Sequence, residues 1–239
     1  MRGYGPTRFL YPNTPRSGQQ AVLAHDVIEL MDTLAIESAV LAGFDWGSRS
    51  ACIVAALWPK RVRGLVCGAG YIIQDIAASR KPAPPEDERR YWYQYYFHSE
   101  RGRAGLEQHR HAMGKLLWRL WSPSWSFTDA TYDLTARSFD NPDFVAVAIH
   151  SYQHRYGLAP GDPAVEDTER RLAALPSITV PAIALHGADD GVTPAAAPEK
   201  QARFFRGPYE RRVLPGIGHN LPQEAPQKFS DAVLSLVKT

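Results

Sequence analysis

The chain has 239 residues, 27 Lys and Arg against 25 Asp and Glu, a formal charge of +2 and 44% apolar residues. One substantial core plus an insertion fits this length, and the near-balanced, dispersed charge argues against a general affinity for nucleic acid or anionic membranes. Cys52 and Cys67 are the only cysteines, which favours buried free thiols over a disulfide framework. No leader pattern opens the chain, and no run approaches the roughly twenty apolar residues of a membrane span. The expectation is a cytoplasmic protein acting on a small molecule, with no cofactor.

Taken in chain order, Gln20 to Leu34 has helical spacing, with Leu23, Val27, Met31 and Leu34 on one face and Asp26, Glu29 and Asp32 on the other. An apolar strand, Ser38 to Gly43, follows at once, and Arg49 to Leu57 is Ala-rich and helical in character. Between them lies Gly43-Phe44-Asp45-Trp46-Gly47-Ser48, which places a carboxylate on a sharp strand-to-helix turn. Such a turn strains its central residue, so Gly43 is expected to let the strand end close by and Gly47 to let the helix pack.

Gly64 to Gly68 reads as a second buried strand. From Tyr71 to Leu175 no strand of this type occurs; the segment holds Pro82-Ala83-Pro84-Pro85, aromatic-rich helical stretches and a turn-like Gly157 to Pro163. It predicts a helical lid over 71–175 inserted into a core made of 1–70 and 176–239. Strands at Val180 to Leu185 and Tyr209 to Leu214 and a final helix packed through Phe229, Val233 and Leu236 complete an α/β alternation with a parallel sheet.

Two segments past strand ends carry the rest of the chemistry. Leu185 to Pro194 places Asp190 just after a strand, and Pro215-Gly216-Ile217-Gly218-His219-Asn220 places a Gly-flanked histidine before the last helix. Nucleophile, acid, histidine is the chain order of α/β-hydrolases. The chain resembles that superfamily, and within it the epoxide hydrolase and haloalkane or fluoroacetate dehalogenase branch. The resemblance runs through Arg2-Gly3-Tyr4-Gly5, Asp45-Trp46-Gly47, Trp58-Pro59-Lys60-Arg61-Val62 and Gly218-His219. Phe44 stands where these families commonly have histidine.

The resemblance implies an α/β-hydrolase fold, a mostly parallel sheet flanked by helices with an inserted helical lid, N-terminally truncated relative to the family. Arg2 to Gly5 normally follows the fourth strand, so the first strands and the His-Gly-x-Pro loop are expected to be missing. The strand Ser38 to Gly43 would then have an open edge, and self-association or low activity is expected relative to a longer form.

In the implied chemistry Asp45 attacks carbon to form an alkyl ester, His219 deprotonates the hydrolytic water and Asp190 orients the imidazole. The Trp46 backbone N–H is an oxyanion donor. An epoxide oxygen needs acid assistance, and Tyr93-Gln94-Tyr95-Tyr96-Phe97 is similar to the family's Tyr-Gln-x-Tyr-Phe donor segment. Tyr93 and Tyr152 are the expected donors, with Trp46, Trp92 and Tyr96 contacting substrate.

Epoxide opening to a diol is the leading reading. Dehalogenation assisted by Trp46, Trp92 and His98, ester or lactone cleavage, and an inactive hydrolase-like domain are the alternatives. His150 and His154, four apart with no Glu beside His150 in a metalloprotease pattern, and His109 and His111, only two apart, are expected to be solvent-facing or hydrogen-bonded rather than metal ligands.

Overall fold

The computed structural model describes residues 1–195 and 199–238. In chain order the elements are α1 (Gln20–Thr33), β1 (Ala39–Gly43), α2 (Asp45–Leu57), β2 (Val62–Gly68), α3 (Pro85–Arg90), α4 (Trp92–Tyr96), α5 (Glu100–Trp121), α6 (Asp129–Ala136), α7 (Phe144–His154), α8 (Glu166–Leu172), β3 (Ala182–Gly187), α9 (Glu199–Ala202), β4 (Tyr209–Leu214), α10 (Leu221–Glu224) and α11 (Pro226–Val237).

The four strands form one parallel sheet in the order β1-β2-β3-β4. Parallel strands covered on both faces read as unbroken apolar runs, and Leu65-Val66-Cys67 and Ala182-Ile183-Ala184-Leu185 are such runs, all buried. Their alternation sorts them between two cores. Leu65, Cys67, Ala182 and Ala184 pack with α1 and α2 through Ala21, Val22, Ile53 and Val54, whereas Val66, Ile183 and Leu185 meet Phe229, Ala232 and Val233 of α11. Both central strands are therefore sealed, while β1 is only half-buried and, among the described residues, pairs with a strand on its β2 side alone.

α1 ends where Leu34 departs from helical geometry, and Ala35 turns the chain at φ 53°. Leu34 is consequently 59% exposed, which corrects its predicted place on the packed face beside Leu23 and Met31. Asp26, on the polar side, accepts from Arg2 Nε at 2.7 Å and ties the start of the chain to α1.

Between β2 and β3 the chain is helical and contains no strand. Its aromatic face forms a third core of Tyr93, Phe97, Leu106, Leu117, Phe144, Val147 and Tyr152, which includes Trp46 from α2. Because the strands are parallel, the residues following β1, β3 and β4 emerge on one edge of the sheet. The helical insertion packs there, above Asp45.

Candidate active site

At the end of β1 the chain reverses into α2 through Asp45, at φ 47°. A non-glycine residue in this region is strained and is held only where the surroundings dictate it. Gly43 shows the constraint: a Cβ there would lie 2.4 Å from the Gly47 carbonyl carbon. A Cβ on Gly47 would meet nothing within 4 Å, so the steric demand predicted for Gly47 falls on Gly43. The turn presents the Asp45 carboxylate, 33% exposed, beyond the sheet edge. The Trp46 N–H, in the first turn of α2, has no carbonyl partner within the helix.

The other two groups converge on it. His219 Nδ1 is 2.9 Å from Asp190 Oδ2, and its Nε2 is 3.6 Å from Asp45 Oδ2. Asp190 Oδ1 accepts the N–H groups of Val192 and Thr193 at 2.7 and 2.9 Å, so this buried carboxylate is held as an acceptor while Oδ2 serves the imidazole. Gly187 allows the approach, since a Cβ there would lie 2.0 Å from the Gly218 oxygen.

Burial works against a charged His219, but the hydrogen bond to Asp190 and the negative charges of Asp190 and Asp45 outweigh it and raise its pKa to about 10. Burial likewise pushes the Asp45 carboxyl up, yet the nearby imidazole of His219 and its charge, with Arg49 and Arg155 beyond, leave it below the ordinary carboxylate range. The resting arrangement is an imidazolium between two carboxylates.

A clamp fixes the histidine loop to the end of α5. Glu224 accepts from Ser122 Oγ at 2.6 Å, from the Gly218 N–H at 2.7 Å and from the Asn220 N–H at 2.9 Å. Ser122 Oγ in turn accepts the His219 N–H at 3.0 Å, and the Trp121 carbonyl accepts the Gly191 N–H at 2.9 Å. Glu224→Leu strands these donors, and unsatisfied buried donors cost about 1–3 kcal/mol each. Urea unfolding of this variant is expected to show a loss of at least that size, whereas Glu224→Gln, which keeps one acceptor, is expected to lose less.

Tyr93 and Tyr152 are both buried, with ring centroids 5.6 Å apart at 87°. Burial, then mutual repulsion and the charge of Asp45, hold the Tyr93 phenol well above its ordinary pKa. For Tyr152 burial is again the chief cause of a raised value. Gln94 orients Tyr93: its Oε1 accepts from Arg155 Nη1 at 3.3 Å and Tyr156 Oη at 3.2 Å, and its Nε2 donates to Tyr93 Oη at 3.1 Å. The Tyr93 oxygen is thus an acceptor on its Gln94 side, and its own O–H remains free to donate elsewhere.

Two cavities meet at Asp45 and Tyr152. One, of about 380 Å³, is lined by Asp45, Arg49, Tyr93, Tyr152, Arg155 and His219 among others. The second, about 450 Å³, is mainly apolar and includes Trp46, Phe97, Leu117, Trp118 and Trp121 in its wall.

Asp45, His219, Tyr93 and Tyr152 thus line one cavity and Trp46 the other, with Asp190 behind the imidazole. Trp92 and Tyr96 line neither cavity; they pack against the aromatic cluster, with ring centroids 6.2 Å apart. His98 is also outside both linings and meets Tyr156 edge to face, 4.8 Å between ring centres. Phe44 stands beside the imidazole, 6.3 Å between ring centres.

His150 Nδ1 accepts the Gly18 N–H at 3.0 Å and its Nε2 donates to the Pro160 carbonyl at 3.0 Å, leaving no lone pair for a metal. Among the described residues no group of three or more His, Cys, Asp or Glu could hold a metal ion, and no helix is long and apolar enough to cross a membrane. Sequence reading did not single out Arg49, Gln94, Ser122, Arg155 or Glu224. Only Arg49 left a usable signal, lying four residues after Asp45 and so on the same helix face.

An aspartate on a strand-to-helix turn, a histidine and a second carboxylate at the carboxyl edge of a parallel sheet are arranged as in the α/β-hydrolase fold. Residues 1–226 match the α/β hydrolase fold family, and the chain belongs to it. Within that family it is epoxide hydrolase-like. A protein of Klebsiella pneumoniae subsp. pneumoniae MGH 78578, provisionally named an epoxide hydrolase, is 50% identical with a TM-score of 0.97 over 100% of this chain and 79% of its own. More distant structures share the fold: one from Pseudomonas aeruginosa, also provisionally named an epoxide hydrolase, at 20% identity and TM-score 0.79 over 100% and 77%, and one from Salmonella enterica, provisionally named an acyltransferase, at 16% and 0.79 over 100% and 77%. No protein of curated function matches.

Proposed function

We propose that the chain opens epoxides to vicinal diols through an aspartyl ester. The observation that carries this reading is that Asp45, His219, Tyr93 and Tyr152 share the wall of one cavity. A carboxylate nucleophile needs a carbon with a leaving group, and an oxirane oxygen leaves as an alkoxide that requires a proton. Tyr93 and Tyr152 supply that proton while Asp45 Oδ attacks the ring carbon. The C–O bond of the ring breaks as the ester bond forms.

Hydrolysis then needs a base. Alkylation removes the Asp45 charge, so His219 loses one of the two carboxylates holding its proton, its pKa falls, and that proton passes to the tyrosinate left by ring opening. The neutral imidazole, oriented by Asp190, takes a proton from water as the oxygen adds to the ester carbonyl, and the Trp46 N–H receives developing oxyanion charge. Collapse releases the diol and restores the carboxylate.

Tyr93→Phe and Tyr152→Phe are each expected to slow epoxide opening by roughly 10²-fold, the scale of general-acid catalysis. The measurement is diol formation from aryl and aliphatic epoxides beside halide release from haloalkanes and haloacetates. Full epoxide activity in both variants makes the tyrosines lid packing rather than proton donors, whereas halide release insensitive to them and faster than diol formation sinks the epoxide reading in favour of dehalogenation.

A further inference from the structure

The polar cavity is more cationic than a neutral epoxide requires. Arg49, 8% exposed, spends its Nε on the Ile72 carbonyl at 3.2 Å, and Arg155 lies 4.5 Å over the Tyr152 ring and gives Nη1 to Gln94. Arg155 Nε and Nη2 are shut away from solvent with no acceptor. These two atoms form one edge of the guanidinium, the pair of parallel N–H groups that matches a planar carboxylate.

Of the residues that line the chamber, Asp45 and Asp75 are the acids and Arg49, Arg155 and His219 the basic groups; Asp75 is exposed and its Oδ1 accepts the Ala78 N–H at 2.9 Å. Arg49, pulled down to about 10 chiefly by burial and then by Arg155, is still charged at neutral pH. Two arginines held together in a buried wall repel, and an entering anion relieves that repulsion.

The neighbouring cavity is of opposite character, walled by Phe97, Leu106, Met113, Leu117, Phe139 and Phe144. Its one arginine, Arg110, directs Nη1 and Nη2 to the Phe139 and Glu107 carbonyls. Because Asp45 and Tyr152 line both spaces, a ligand reacting at Asp45 can extend one end into each.

We propose that Arg155, supported by Arg49, forms a carboxylate subsite, so that the substrate is an oxirane bearing a carboxylate at one end and an apolar body at the other. This rests on Asp45 being the nucleophile, but the subsite has its own readout. In this subsite the unpartnered Nε and Nη2 edge of Arg155 turns onto the carboxylate in the cavity that Arg155 lines. The same two cations offset the repulsion between the incoming carboxylate and Asp45.

Binding is measured first with an unreactive pair, 3-phenylpropionate and 3-phenylpropanamide, by calorimetry on the full chain. The acid is expected to bind at least ten times more tightly than the amide. That ratio is expected to fall towards one in Arg155→Gln and to recover in part in Arg155→Lys. The kcat/KM ratio for 3-phenylglycidate over its amide is expected to follow the same order.

Equal affinities for the wild-type pair overturn the subsite, with no variant needed. A ratio unchanged in folded Arg155→Gln, or in Arg155→Lys should the first not fold, overturns the role of Arg155. Calorimetry involves no turnover, so absence of an Asp45 ester from every epoxide would remove the mechanism above while leaving a carboxylate preference standing.

Discussion

Asp45→Ala is expected to abolish turnover, with a loss on the order of 10⁴-fold or more, the scale seen when a nucleophile is removed from a group of residues acting as a unit. The reason is geometric. Asp45 occupies a left-handed φ of 47° with its carboxylate 3.6 Å from His219 Nε2 and open to both cavities, and no neighbouring carboxylate can take its place. Asp190 is buried on the far side of the imidazole, its Oδ1 committed to two backbone N–H groups.

Isotope placement separates attack by Asp45 from attack by water that Asp45 merely activates. In a single turnover in ¹⁸O-water, the hydroxyl added to the product comes from Asp45, and the label from water enters the Asp45 side chain. Mass spectrometry of the peptide containing Asp45 is expected to show that label. Label confined to the diol over repeated turnovers, with Asp45 unlabelled, would falsify the covalent route.

His219→Gln is expected to stop the second half of the reaction and leave the first largely intact, so the alkyl-enzyme accumulates and an intact-mass shift equal to the substrate appears. Glutamine fills much of the same space but cannot take a proton from water. In the unmutated protein, ester hydrolysis is expected to accelerate with rising pH until His219 of the adduct is neutral, whereas ester formation lacks that dependence. Rapid-quench kinetics across pH resolves the two; a pH-independent hydrolysis step, or no adduct in His219→Gln with a confirmed substrate, removes His219 as the base.

The same residue predicts a stability profile. His219 is raised from 6.5 to about 10 in the folded protein, so its folded state binds a proton that the unfolded state has released. The stabilisation is fully present below about pH 6.5 and is lost as pH climbs to about 10. Asp45, lowered instead, contributes above the ordinary carboxylate pKa and loses that contribution as pH falls through its folded value. Denaturant unfolding from pH 6 to 10 is expected to show the alkaline loss in the unmutated chain and a flatter profile in His219→Gln.

Much of the site was legible because its chemistry depends on local chain geometry. The elbow announces itself as a glycine, an acid and a helix start; Asp190 and His219 announce themselves as polar residues just beyond apolar strands. Tyr93 and Tyr152 were legible through resemblance, and both reach the chamber. Trp92 and Tyr96 carry the same aromatic signal yet line neither cavity: Trp92, next to Tyr93, projects from another side of the helix, and the Tyr96 ring is taken up against α5, its hydroxyl 2.0 Å from where a Cβ on Gly105 would lie.

By itself the sequence determined the four strands and their parallel sense and placed an aspartate, a second acid and a histidine just past strand ends, since buried strands and sharp turns leave unbroken apolar runs and glycines in the chain. Only the tertiary structure decided which distant side chains complete the chamber. Ser122 and Glu224 meet across 102 residues, and Arg155 reaches Gln94 across 61. Pairings of that separation are fixed by how the helical insertion packs on the sheet edge. No local periodicity records them, which is why the clamp on His219 and the buried guanidinium pair emerge only once the chain is folded.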